Sequence, residues 1–167
     1  HICTNQEEAI TQVRSLLSLT RPQTTHLHRY ESCEPKVSPD AIYETLPMSP
    51  HQGINGHAVL EALADDSEFI EAKKNFAQGR GSNIITGKMR IKGFPVGVIC
   101  SNAAGIIFHE AAKKVAEWVV RCSYEKIPLL FIQSSPGYMI GSDSEHAGIG
   151  KYGADPAASG LFIPNHF

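Results

Sequence analysis

The chain has only four cysteines, one tryptophan and no long hydrophobic run among its 167 residues. The longest apolar stretches, Ile127 to Ile132 and Val96 to Cys100, are far too short to span a bilayer. No charged segment followed by an apolar core marks a signal peptide. No pair of cysteines has CxxC spacing, so a zinc knuckle or thioredoxin-type motif is not indicated. Cys100 and Cys122 sit in apolar periodic segments and read as buried thiols, which fits a reducing compartment. Neither sign of charge dominates: the formal net charge is −2 with histidines neutral. That gives no electrostatic case for nucleic acid or a membrane surface. The first residue is His1, and a processed or partial sequence is the simplest explanation.

What is present is the composition of an ordinary globular chain, 42% apolar and 19% charged. Thr4 and Glu7 have capping-box spacing, and Ala9, Ile10, Val13, Leu16 and Leu17 repeat at helical period. Residues 5–19 are therefore expected to form a helix with one buried face, ended by Pro22. Residues 20–50 hold five of the ten prolines and no sustained period, as in a linker. Asn55 to Ala64 regains helical character, Asp65-Asp66-Ser67 interrupts it, and Phe69 and Ile70 resume the apolar face.

A compact region is expected from about Asn83. Ile84–Thr86, Met89–Ile91 and Val96–Cys100 are strand candidates, with Lys92-Gly93-Phe94-Pro95 as a turn. Ala111, Ala112, Val115, Trp118, Val119 and Cys122 mark the inner face of a helix. Glu110–Lys114 and Glu117–Arg121 are i,i+4 pairs expected on its outer side. Ile127 to Ile132 reads as a strand covered on both faces. Ser142 and Glu145 have capping-box spacing after the Pro136-Gly137 turn. Hairpin, helix, strand, loop and helix imply an α/β layered domain.

Several motifs carry weak chemistry. Gly87-Lys88 lacks the spacing of a phosphate loop, and Met89 stands where Ser or Thr would hold magnesium. Ser142, Asp143, Glu145 and His146 are triad residue types, but sequence neighbours do not converge as a triad must. His26, His28 and Cys33 lack a fourth zinc ligand. Two loops are more suggestive. Ser134-Ser135-Pro136-Gly137-Tyr138 follows a strand and precedes a helix, and Ser101-Asn102-Ala103-Ala104-Gly105 lies between a strand and a helix. Ligands collect at such places, where backbone N–H groups point outward. A plain turn is an equal reading of the first loop.

A resemblance links these pieces. Thr86-Gly87, Arg90-Ile91, Gly93, Pro95-Val96-Gly97-Val98 and Asn102 are similar to a strand pair of biotin-dependent acyl-CoA carboxylases, in the second carboxyltransferase domain. Ile127-Pro128-Leu129, Phe131, Pro136-Gly137-Tyr138 and Gly141 resemble the next strand and loop. Glu145, Gly148-Ile149, Lys151 and Gly153-Ala154 resemble the helix after it. The order covers about residues 2–154, and methylcrotonoyl-CoA carboxylases look closest. His57 departs from an arginine common in the family, and the reading after Ala154 departs more strongly, with Pro156 and Gly160 where a helix is expected.

The resemblance implies a partial crotonase-like (ClpP/crotonase) ββα spiral of α/β class. It divides the chain into the last helix of a first domain (1–21), a linker (22–66) and the start of a second domain (67–167). It implies carboxyl transfer from carboxybiotin, on a separate carrier protein, to an acyl-CoA of methylcrotonoyl or propionyl type. The two reacting groups would be stabilised by backbone N–H groups and not by acid–base side chains. Asn102, Ala104, Gly105, Pro136, Gly137, Tyr138 and Gly141 would line the biotin and substrate side, with no catalytic side chain and no metal ligand. The family's glycine-rich oxyanion loops would fall outside residues 1–154, so the fragment alone is expected to be inactive. Its partners would be a biotin carboxylase and carrier subunit and a second carboxyltransferase protomer, in a bacterial cytoplasm or a mitochondrial matrix. A biotin-dependent acyl-CoA decarboxylase subunit and a non-catalytic assembly or binding remnant are the alternatives. A chain cut from a larger spiral is also expected to expose apolar strand surface.

Overall fold

The computed structural model describes residues 3–19, 29–47, 49, 53–77, 79–103 and 106–154. A four-stranded sheet in the order β1-β2-β3-β4 is its frame. The strands are β1 (Phe69–Ala72), β2 (Ile84–Ile91), β3 (Phe94–Ser101) and β4 (Leu129–Ile132). The helices are α1 (Gln6–Ser18), α2 (Ala41–Thr45), α3 (Gly56–Leu63), α4 (His109–Glu125) and α5 (Ser142–His146). β1, β2 and β3 run antiparallel, whereas β4 lies parallel to β3 after the α4 crossover.

The β2–β3 hairpin organises the packing. Ile84 pairs with Ser101 and Ile91 with Phe94, so every residue of both strands is in register. Lys92 and Gly93 both have positive φ, 51° and 81°, the two-residue turn that suits strand twist. The expected four-residue turn is therefore shorter, and Phe94 and Pro95 belong to β3. Proline is tolerated there because it stands at the strand's start, before β4 pairing begins at Gly97. The buried Asp65 carboxylate accepts both turn N–H groups, from Lys92 at 2.7 Å and Gly93 at 2.6 Å. Residues 29–30 lie along the same turn, with Tyr30 N–H donating to the Gly93 carbonyl at 2.8 Å.

Alternation along the hairpin creates two cores. Ile85, Met89, Val96, Val98 and Cys100 pack with Ile54, Leu60 and Ala64 on one face. Ile84 and Ile99 pack with Val115, Trp118, Val119 and Cys122 of α4 on the other. Leu60 is fully buried, and truncating such a residue costs about 2–5 kcal/mol. A stretch assigned to the linker thus contributes α3 to the sheet's core. Gly97 lets α4 approach closely, since a Cβ there would lie 2.5 Å from Cys122 Sγ.

Several local expectations need correction. The α1 cap is Asn5, not Thr4: Asn5 Oδ1 accepts from Glu8 N–H at 2.8 Å, while Thr4 donates to the Glu8 carboxylate. Glu8, not Glu7, is placed one turn ahead of the cap and reaches back. The apolar face of α1 is not buried; Ile10, Val13 and Leu17 remain exposed, because no described element covers them. Phe69 and Ile70 form a strand, not a helix face, because they pair with Met89 and Lys88 of β2. β4 is an edge strand, so Phe131 stays 52% exposed instead of covered on both sides. Ser142 is the first residue of α5 and Gly141 its cap, without a side-chain bond. Lys114 is buried and does not lie on the outer side of α4. Glu117 pairs with Lys73, and Arg121 with Glu125 at 3.0 Å, one turn further on. Pro22, expected to end α1, lies outside the described residues.

Exposed apolar side chains on α1 and around β4, among them Ile140 at 82%, predict self-association of the 167-residue chain. Light scattering should show oligomers that shift toward monomer in Val13→Lys/Leu17→Glu. A monodisperse wild-type monomer with a cooperative melt would contradict this. Burial also raises the Cys100 thiol to about 11 and that of Cys122 to about 12. Native alkylation followed by mass spectrometry should label the exposed Cys33 and spare both buried thiols until the chain unfolds.

Candidate functional site

The two small-residue loops singled out in the sequence meet at the carboxyl ends of β3 and β4. Ile107 and Tyr138 form a parallel bridge: Ile107 N–H donates to Gly137 O at 3.0 Å, and Met139 N–H to Ile107 O at 2.9 Å. Two buried or half-buried polar side chains hold the loops to the sheet. Ser101 Oγ accepts from Ser134 N–H at 3.0 Å, and Asn83 Nδ2 donates to Ile106 O at 3.0 Å. Sequence reasoning missed both as clamps. The signal was a polar residue at each end of the Ile84–Ser101 hairpin, beside the loops it secures.

The expected site residues have different placements. Gly137 and Tyr138 line a recess of about 150 Å3 between α4 and the sheet. Gly141 lines an adjoining cavity of about 250 Å3 with Arg80, His109 and the start of α5. Pro136 is exposed on the loop between them. Asn102 does not line either cavity; its Oδ1 accepts Gly56 N–H at 3.1 Å and ties β3 to α3. Ala104 and Gly105 lie outside the described residues. Gly137 and Gly141 have φ of 130° and 119°, with nothing within 4 Å of where a Cβ would stand. Backbone there is approachable by a ligand, which is what a cradle for a ring or thioester needs. Tyr138 turns the other way, its hydroxyl donating to Gly153 O at 3.4 Å and its ring packed on Gly153.

The weaker motifs find structural roles. Gly87 lies within β2, and a Cβ there would collide with Ile70 O and the Phe69 ring. Lys88 is buried and paired with Glu125, so neither residue belongs to a phosphate loop. Ser142 to His146 form one short helical turn, which spreads their side chains about its axis. His26 and His28 lie outside the described residues, and among the described residues no three potential ligands gather for a metal. His57 Nε2 stands 2.8 Å from Glu71 Oε2. Lys114 Nζ donates to Ile84 O at 2.8 Å and lies 4.0 Å from Glu71. Burial lowers the pKa of Lys114 despite that carboxylate.

The family model for the carboxyl transferase domain matches residues 1–156. The chain belongs to the carboxyl transferase domain family. The biotin-dependent 3-methylcrotonyl-coenzyme A carboxylase beta1 subunit of Mycobacterium tuberculosis is 34% identical over 155 residues, covering 92% of this chain and 28% of the relative. The mitochondrial methylcrotonoyl-CoA carboxylase beta chain of Arabidopsis thaliana is 38% identical over 121 residues, or 72% of this chain and 20% of the relative. The geranyl-CoA carboxylase beta subunit of P. aeruginosa superposes with a TM-score of 0.73 at 25% identity, over 94% of this chain and 29% of that one. The hexameric transcarboxylase 12S, with hydrolysed methylmalonyl-coenzyme A bound, gives 0.81 at 25% identity, over 94% and 31%. The fold is the crotonase-like α/β fold of these carboxyl transferase subunits, and this chain spans less than a third of their length.

Burial opposes ionisation of Glu125, but its hydrogen bonds from Lys88 and Arg121 prevail and hold its carboxyl below the usual value of 4.5. A depressed carboxyl contributes stability above its unfolded pKa and loses it as pH falls through the folded one. Wild type should therefore lose stability as pH falls from the ordinary carboxyl value of 4.5 through the lower folded one, and Lys88→Met should flatten that slope. Urea titrations at several pH values would show it; parallel slopes would contradict the pairing.

Proposed function

We propose that this chain is part of a carboxyl transferase subunit that moves a carboxyl group from carboxybiotin, on a separate carrier, to an acyl-CoA. The carrying observation is the Ile107–Tyr138 bridge, which joins the loop of Gly137 and Gly141, whose backbone is approachable, to the segment entering α4 at the strand ends. Bound there, the carrier's biotin would supply the activated carboxyl group. Gly137, Tyr138 and Gly141 would shape the rim through backbone and open space, and Pro136 would keep the loop turned. No acid–base side chain is needed for this role: charge developing on a ureido or thioester oxygen is met by preorganised N–H groups. Relatives named as 3-methylcrotonyl- and acetyl-/propionyl-coenzyme A carboxylase subunits support this reading.

The same reading assigns residues 1–21 to the end of a first domain, 22–66 to a linker and 67–167 to the start of a second. The exposed Ile10 and Val13 of α1, which no described element covers, support an interface with a preceding domain. A carrier-bearing biotin carboxylase and a second carboxyl transferase protomer are the proposed partners, in a bacterial cytoplasm or mitochondrial matrix.

The test is Gly137→Val in a full-length subunit carrying this segment. A side chain at φ 130° strains the loop by about 1–3 kcal/mol, although its Cβ has no heavy atom within 4 Å. Carboxyl transfer from carboxybiotin should fall about 100-fold, the scale of a misplacement of about 1 Å between reacting groups, while the subunit still melts cooperatively. Unchanged transfer would refute the assignment.

A further inference from the structure

The loop that carries Gly137 leaves the sheet before it reaches the rim. β4 pairs with β3 from Leu129 opposite Gly97 to Ile132 opposite Cys100, and the ladder stops there. The next backbone pairing of that arm among the described residues is at Gly137 and Met139, on the two sides of the bridge to Ile107. Between these points Ser134 N–H donates to the Ser101 hydroxyl oxygen at 3.0 Å. Ser101 directly follows Cys100, so its side chain carries the pairing one step past the place where the two backbones part. Its own backbone is fixed opposite Ile84, and the residue is only 2% exposed. The bond from Gly137 N–H to Ser135 Oγ, at 3.1 Å, lies within the loop and sets its shape, not its distance from the sheet. Ser101 is therefore an anchor on the rigid hairpin for a segment that has left the ladder.

We propose that Ser101 is a positioning residue for carboxyl transfer: its hydroxyl oxygen sets how far the loop of Ser134 to Gly141 stands from the sheet, and so where the Gly137 backbone meets a ligand. The proposal rests on the carboxyl transferase reading and deepens it. Ser101 touches no reacting atom in this role and acts through Ser134. Ser134 is itself exposed, so without the acceptor its N–H turns to water and the loop is free to lift. A displacement of about 1 Å at a reacting group costs about 100-fold in rate. A single hydrogen bond from a buried strand residue is the kind of restraint that keeps a loop within that tolerance.

Threonine and valine are both β-branched and differ by the hydroxyl, so Ser101→Thr and Ser101→Val isolate the acceptor at nearly constant shape. Both are made in a full-length subunit carrying this segment, beside Ser101→Ala, which adds no bulk to the buried site and decides the matter if the valine variant does not melt cooperatively. Two readouts are taken: steady-state carboxyl transfer from carboxybiotin, and amide hydrogen exchange of the peptide spanning 133–139. Ser101→Val and Ser101→Ala should lower kcat at least about 10-fold, with the KM for acyl-CoA and the melting midpoint little changed. Exchange of the 133–139 peptide should quicken in the same two variants. Ser101→Thr should keep transfer within about 3-fold of wild type and keep the loop's protection. A merely structural role would lower the melting midpoint and would not split kcat from KM. Wild-type kcat in both Ser101→Val and Ser101→Ala, or an equal loss in threonine and valine, would overturn the proposal. Exchange reads the anchor without any transfer. A wild-type subunit that transfers no carboxyl group, while Ser101→Val frees the loop and Ser101→Thr does not, refutes the transferase reading. One that transfers equally well with and without the hydroxyl refutes this inference alone.

Discussion

The β2–β3 hairpin is the constraint from which the rest of the structure follows. Its in-register ladder fixes which side chains face α3 and which face α4, so a one-residue slip would exchange both cores. Asp65 holds its turn end by accepting two N–H groups from a buried position. Ser101 and Asn83 hold its other end, where the two loops cross. The tight turn and the candidate site are therefore opposite ends of one rigid element, which is why loops rich in glycine and proline can keep a defined rim.

The α4 layer shows how charge is used inside such a packed unit. Lys114 and Lys88 both lie beneath the helix, one bonded to the Ile84 carbonyl and the other paired with Glu125. A buried ammonium is costly without a partner, so each lysine restricts how α4 can sit. Lys88 pairs across the ladder with Gly97, which admits the helix at Cys122. Charge and small size at adjacent positions thus position α4, and α4 in turn closes the apolar recess.

Much of this order was legible in the residues. The α4 face reads directly from Ala111, Val115, Trp118, Val119 and Cys122, and the α/β class from the alternation of hairpin, helix and strand. Lys114 was not legible, because a charged residue at i,i+4 from Glu110 reads as solvent-facing until Ile84 and Glu71 are seen beneath it. β1 was not legible either, since Phe69-Ile70-Glu71-Ala72 is too short to show a period and becomes a strand by pairing with β2. For the site, both loops were visible from their glycine, proline and serine content. Their union was not, because it depends on the Ile107–Tyr138 bridge. Asn102 reads in the sequence as a lining residue, yet its amide serves α3, a role that only the position of Gly56 reveals.

The Ile107–Tyr138 bridge joins the start of the α4 segment to the loop at 134–141, and on the proposed reading that rim is one wall of a ligand cleft. The most direct measurement is the crystal structure of a full-length subunit carrying this segment with a biotin analogue and a short acyl-CoA bound. The account predicts ligand atoms against the backbone of Gly137 and Gly141, with the Ile107–Tyr138 bridge intact. Ligand bound elsewhere, with this rim covered by another part of the subunit, would contradict it.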